Sequence, residues 1–167
     1  MAMSAYTVTG SLTHFRKGSL DLFSAKPEHY AFSNIFDVAQ RSDFFERVAV
    51  TKNIEYVTEV IKIQHDSPWF IAAHDEFALI MDGDVTLTFF TVPPQTLPAP
   101  ASQGAHLLEA PPSGACMGNV QARRGHLVLL PANTAYRLGS DQPAVALIQT
   151  LSGDLTQERW ADICARG

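Results

Sequence analysis

Long apolar runs, basic clusters and cysteines are all scarce in this sequence, and each shortage removes a class of protein. No stretch approaches the ~20 apolar residues that span a bilayer, so no membrane association is expected. Lys and Arg number 12 against 17 Asp and Glu, a net charge of −5, and the basic residues are scattered in short pairs such as Arg16-Lys17 and Arg123-Arg124. A nucleic-acid binder needs a basic face, and none is present. Two cysteines, Cys116 and Cys164, cannot build a disulfide framework and are spaced too widely for a zinc finger. Two reduced thiols, and an N-terminus without the pattern of a secretory signal, suit a cytoplasmic protein.

What remains is an ordinary globular composition. The 167 residues are 46% hydrophobic and 17% charged, which suits one well-buried core, and 1–167 is read as a single domain. Residues 1–43 form a mixed, aromatic-rich arm. A short helix is expected over Ser33 to Gln40, capped by Ser33, with Ile35, Phe36, Val38 and Ala39 on its buried side. Tyr30, Phe32, Phe36, Phe44 and Phe45 fit an arm packed either on the domain itself or on another chain.

Residues 44–151 read as strands. The segments 46–51, 54–63 and 85–92 are rich in β-branched and aromatic residues, and 76–81, 127–130 and 144–151 are nearly continuous apolar runs. Asp82-Gly83-Asp84 marks a hairpin turn. The beat of short strands and turns points to a sandwich or small barrel. A Pro-, Ala- and Gly-rich insertion, 93–118, must leave the sheets, because proline removes a ladder donor. Residues 152–167 read as a closing helix, capped by Ser152, Asp154 or Thr156, with Leu155, Trp160, Ile163 and Cys164 as its apolar stripe.

Two segments resemble the paired motifs of the cupin superfamily. Glu76, six residues and Gly83 match the second half of the first motif; Gly125 and Pro131 match the opening of the second. The resemblance implies an all-β fold, a double-stranded β-helix barrel (jelly roll) with the helical arm before it and the helix after it. Of the family's four ligand positions, Glu76 alone keeps a ligand. The paired histidine positions fall on Phe70 and Ala72 with a three-residue gap, or on Trp69 and Ile71 with a four-residue gap. The remaining histidine position falls on Tyr136. One carboxylate cannot replace the three or four ligands that fix an iron or zinc, so no metal is expected in this chain.

The stretches 13–20 (THFRKGSL), 29–36 (HYAFSNIF), 67–70 (SPWF) and 73–83 (AHDEFALIMDG) resemble the small subunit of two-component hydroquinone 1,2-dioxygenase across almost the whole chain. That resemblance implies an inactive chain on its own and a larger cupin partner that holds Fe(II), in a heterotetramer of two small and two large subunits. The expected activity is ring cleavage of hydroquinone by O2 to 4-hydroxymuconic semialdehyde, in the degradation of aromatic compounds. It also implies that a small-subunit tryptophan reaches the active site, and Trp69 is the best match; the alternative for Trp69 is an ordinary core tryptophan.

Several residues carry open alternatives. His74, Asp75 and Glu76 form a polar cluster that either meets substrate or a partner, or caps a strand end. With Trp69, His74 and Glu76 are the substrate-pocket candidates. His65 and His126 could join His74 and Glu76 in an unconventional metal site, or be plain structural histidines. Tyr136 and Glu76 either form a polar plug in a filled barrel or line a cavity for a phenolic ligand. The chain thus reads first as a dioxygenase subunit. A stand-alone, metal-free cupin homodimer binding a small aromatic molecule is second, and a homomeric enzyme with an atypical His/Glu metal site is third.

Overall fold

The computed structural model describes residues 10–15 and 34–163. Ten strands follow one short helix, α1 (Ile35–Arg41): β1 (Arg47–Asn53), β2 (Tyr56–Asp66), β3 (Phe70–Ala72), β4 (Glu76–Asp82), β5 (Asp84–Phe90), β6 (Ala105–Leu107), β7 (Cys116–Arg123), β8 (Leu127–Leu130), β9 (Ala135–Leu151) and β10 (Thr156–Gln157). A final turn of helix, α2, spans Trp160–Ile163.

Strand β9 belongs to both halves of the barrel. Its first residues pair with β3 and β5, and the stretch from Gly139 onward pairs with β2, while Val145–Gln149 also pairs with β4. One half therefore runs β10-β1-β2-β9-β4-β8, and the other β6-β3-β9-β5-β7. Strict alternation fills the space between them. On β5, Val85, Leu87 and Phe89 are buried while Asp84 and Thr86 are exposed. Ile61, Ile63, Ala78, Ile80, Leu138, Ala146 and Ile148 belong to the same inner cluster.

A second cluster lies outside the barrel. Val48, Val50, Val60 and Val145, pointing outward from β1, β2 and β9, are covered by Phe36, Val38 and Ala39 of α1 and by Leu12 and Phe15. The arm helix thus buries the expected residues, but its cap is Asn34, whose side chain accepts the Phe36 N–H at 3.0 Å. Ser33, Tyr30, Phe32 and Cys164 lie outside the described residues.

Two further differences from the sequence reading have physical causes. Residues 152–157 are not helical: the chain turns at Gly153 and pairs as β10, in parallel, with Arg47 and Val48. Thr156 serves Glu59 there instead of capping a helix. The insertion 93–118 also returns to the sheet, since β6 pairs with β3 and β7 begins at Cys116. It is pinned at Gly104, where an added Cβ would stand 2.7 Å from the Gly153 backbone. A turn at Gly83 does join β4 to β5, but it is not the expected hairpin, because β4 pairs with β8 and β9 while β5 crosses to the other half and pairs with β7 and β9. Its φ of +78° and the Ala144 Cβ 2.7 Å from any side chain there both require glycine.

Candidate functional site

The two cupin-like motifs converge inside the barrel. Glu76 opens β4, and Gly125 and Pro131 bracket β8, which pairs with β4. Tyr136 sits on β9 directly opposite Phe70 of β3. Phe70 and Ala72 pair with Leu107 and with the core residue Ala105, whereas Ile71 pairs with His106 on the opposite face. The barrel interior therefore receives Phe70 and Ala72, so the three-residue spacing is the one realised. Trp69 lies outside, half-buried.

The interior is occupied by an arginine. Arg47 is 2% exposed, and its guanidinium donates from Nε to Glu59 at 2.6 Å and from Nη2 to Glu76 at 2.7 Å. From Nη1 it donates to the Tyr136 hydroxyl at 2.9 Å. The Tyr136 O–H donates in turn to Glu76, and Thr156 donates to the second oxygen of Glu59 at 2.6 Å. The Phe70 ring lies 5.5 Å under the guanidinium and stacks on Tyr136 with centroids 5.7 Å apart.

These contacts govern the protonation states. Burial alone would lower the Arg47 pKa, but Glu76, Tyr136 and Glu59 outweigh it and hold it well above its ordinary value. Burial raises the Tyr136 pKa well above that of a free phenol, and Glu76 adds to the shift while Arg47 opposes it. Tyr136 is a neutral donor at neutral pH, and Arg47 is a permanent cation.

This arrangement does not fit an iron. Three of the four ligand positions carry phenyl, methyl and phenol groups, and the fourth, Glu76, is committed to a guanidinium. Among the described residues no group of three or more His, Cys, Asp or Glu could hold a metal ion. His65 sits in the irregular end of β2, and His126 accepts the Arg123 N–H in the β7–β8 turn at 2.8 Å. His74 contacts the Thr150 hydroxyl at 2.9 Å. The structure does not bring them together with Glu76. Asp75 accepts the Ala132 N–H at 2.8 Å, so it and His74 tie strand ends and loops together.

Trp69 has a different setting. Its ring meets Phe90 edge-on, with centroids 5.3 Å apart, and lies 4.9 Å from the Arg137 guanidinium. Arg137 pairs with Asp66 at 3.0 Å. Nearby, an open depression of about 500 Å³ has Arg47 and Phe70 on its floor and Phe44, Phe45, Pro68 and Leu107 among its walls.

Arg47, Glu59 and Arg137 were missed in the sequence. A signal existed for the first two: a base and an acid, each inside an apolar strand pattern, 12 residues apart across a hairpin. Such residues stay buried only when paired.

The fold defines the class: a cupin barrel, here with a buried arginine bonded to Glu59, Glu76 and Tyr136. A cupin-2 domain protein from Shewanella frigidimarina shares this fold at a TM-score of 0.50 and 11% identity, over 70% of this chain and 89% of that one. The chain belongs to the hydroquinone 1,2-dioxygenase family. It is 45% identical to a chain of hydroquinone 1,2-dioxygenase PnpCD in complex with Cd2+ and 4-hydroxybenzonitrile, covering 99% of this chain and 100% of that one at a TM-score of 0.87. It is 42% identical to a chain of hydroquinone 1,2-dioxygenase from Sphingomonas sp. TTNP3 with 4-hydroxybenzoate bound, over 96% and 98% at 0.88. A longer chain of PnpCD, in complex with Fe3+, shares the fold at 0.59 and 11% identity, over 86% of this chain but 40% of that one. No family model and no curated protein matches. No helix among the described residues is long and apolar enough to cross a membrane.

Proposed function

We propose that this chain, as one cupin domain, is the non-iron small subunit of a heteromeric Fe(II)-dependent hydroquinone 1,2-dioxygenase in the cytoplasm. A larger cupin subunit holds the iron, and two copies of each form a heterotetramer. The observation that carries the reading is the Arg47 guanidinium bonded to Glu76 and Tyr136, two of the four cupin ligand positions, in a chain matched end to end by chains of that enzyme. The two chain lengths found under one enzyme name support a larger partner of the same fold.

Iron bound by the larger subunit would supply the activation of O2 and diol, and hydroquinone plus O2 balances to 4-hydroxymuconic semialdehyde with both oxygen atoms in the product. This chain contributes surface. Trp69 is half-buried on the outside of the barrel, which supports a role as a wall of the partner's pocket, packing on the substrate ring and excluding water. His74 and Glu76, the other pocket candidates, are bonded within the chain, to Thr150 and to Arg47.

The test is oxygen uptake with hydroquinone and Fe(II), by the chain alone and co-expressed with a larger cupin subunit. Turnover is expected for the pair only. Iron-dependent ring cleavage by the isolated chain would overturn the reading.

A further inference from the structure

We propose that Arg137 is a positioning residue for Trp69, holding the indole in the orientation in which the assembled enzyme uses it. This rests on the reading of Trp69 as a wall of the partner's substrate pocket.

The backbone around Trp69 is fixed without Arg137. Ser67 donates its N–H to the Leu138 carbonyl at 2.8 Å, and its hydroxyl accepts the Leu138 N–H at 3.0 Å. The Trp69 carbonyl accepts from the Leu108 N–H at 2.9 Å. Pro68 restricts Ser67 to extended geometry. What this leaves open is the rotation of the side chain.

Two groups set that rotation. Phe90 meets the indole edge-on, and Arg137 lies 4.9 Å from its ring centre. Arg137 directly precedes Leu138, so one stretch of β9 grips both the backbone and the ring of the same segment. Asp66, three residues before Trp69, anchors the guanidinium at 3.0 Å. The guanidinium is held by one carboxylate and one aromatic face, and its placement serves the ring.

The pairing also has a chemical consequence. A cation against an indole draws on its π-density. A ring so polarised is better matched to an electron-rich hydroquinone stacked on it.

The experiment uses the iron-loaded assembly with the larger subunit. Arg137→Gln is expected to raise KM for hydroquinone about fivefold, with a smaller change in kcat, whereas Arg137→Lys keeps a cation at the ring and stays near wild type. Acrylamide quenching of Trp69 fluorescence, read in a Trp160→Phe background, should rise in the Gln variant and not in the Lys variant. Adding Arg137→Gln to Trp69→Phe should change KM no further. A wild-type KM for Arg137→Gln, while Trp69→Phe raises it, overturns the proposal and leaves the reading of Trp69 intact. A Gln variant that no longer assembles also overturns it, because the residue would then be holding the fold or the interface. Wild-type kinetics for Trp69→Phe itself overturn both, and the silent variant tells the two failures apart.

Discussion

Arg47 and Glu76 form an ion pair at 2.7 Å in the interior of the barrel, both almost wholly buried. The positive charge of the core belongs to the polypeptide itself. Breaking such a group from one side costs far more than replacing all of it.

Arg47→Ala is therefore expected to destabilise the chain by about 3–5 kcal/mol, because Glu59 and Glu76 lose their shared cation in the core. For a chain of this size that lowers Tm on the order of 10 °C. Exchanging Arg47, Glu59 and Glu76 together for apolar residues of similar volume should recover most of the loss. Calorimetry on the three proteins decides it; equal damage in the single and triple variants would show that the charges are not coupled.

Metal removal should separate the chain from its assembly. The purified chain is expected to carry no stoichiometric iron, zinc or manganese, and EDTA should leave its Tm unchanged. The assembled enzyme should lose turnover under the same treatment. Elemental analysis finding close to one metal per chain, lost in a His74→Ala/Glu76→Ala variant, would contradict this.

The cluster also predicts an alkaline limit. Burial, reinforced by Glu76, raises the pKa of Tyr136 in the folded state, so folding favours its protonated form. Its contribution is fully present below the unfolded tyrosine pKa of about 10 and is lost as pH climbs towards the folded value. Tyr136→Phe should cost about 1–3 kcal/mol at pH 7, since Glu76 and Arg47 lose a partner. Above pH ~10 that difference should shrink, because only wild type then loses the phenol's contribution. Urea unfolding at the two pH values reads both; a constant gap would mean that the phenol does not titrate with unfolding.

Two glycines with similar backbone geometry should respond differently to alanine. At Gly83, φ is +78° and a Cβ would meet Ala144 at 2.7 Å; at Gly125, φ is +88° and nothing lies within 4 Å. Gly125→Ala should cost about 1 kcal/mol, the left-handed penalty alone, and Gly83→Ala clearly more. Matching denaturation midpoints would show that the β4–β5 turn can move away from β9.

These residues also show what a sequence reveals and what it hides. Glu76, Gly83, Gly125 and Pro131 were legible because their spacing follows a local beat of strand and turn, although neither turn closes a hairpin: β4 pairs with β8 and β9, and β5 with β7 and β9. The same count pointed to Phe70, Ala72 and Tyr136, all three of which are buried. Arg47 and Glu59 were not legible, since their partners are set by the closing of the barrel. Residues 152–157 were misread as helix because capping residues and the β10 turn have similar composition, and the choice is made by the free edge of β1 and by Glu59. Trp69 was placed near the right strand, but its bracing by Arg137, 68 residues later, has no local signature.

The double membership of β9 sets a timetable for synthesis. Strands β2, β3, β4 and β5 all pair with residues between Ala135 and Leu151, so none of these ladders can close while the ribosome has yet to release that stretch. Until then the earlier strands can pair only among themselves, β1 with β2, β3 with β6, β4 with β8 and β5 with β7, and their apolar rows lack the strand that joins the two halves, which favours aggregation of the nascent chain. Completion of the barrel is a late, nearly simultaneous event, and any truncation before Leu151 should yield an insoluble product instead of a smaller domain.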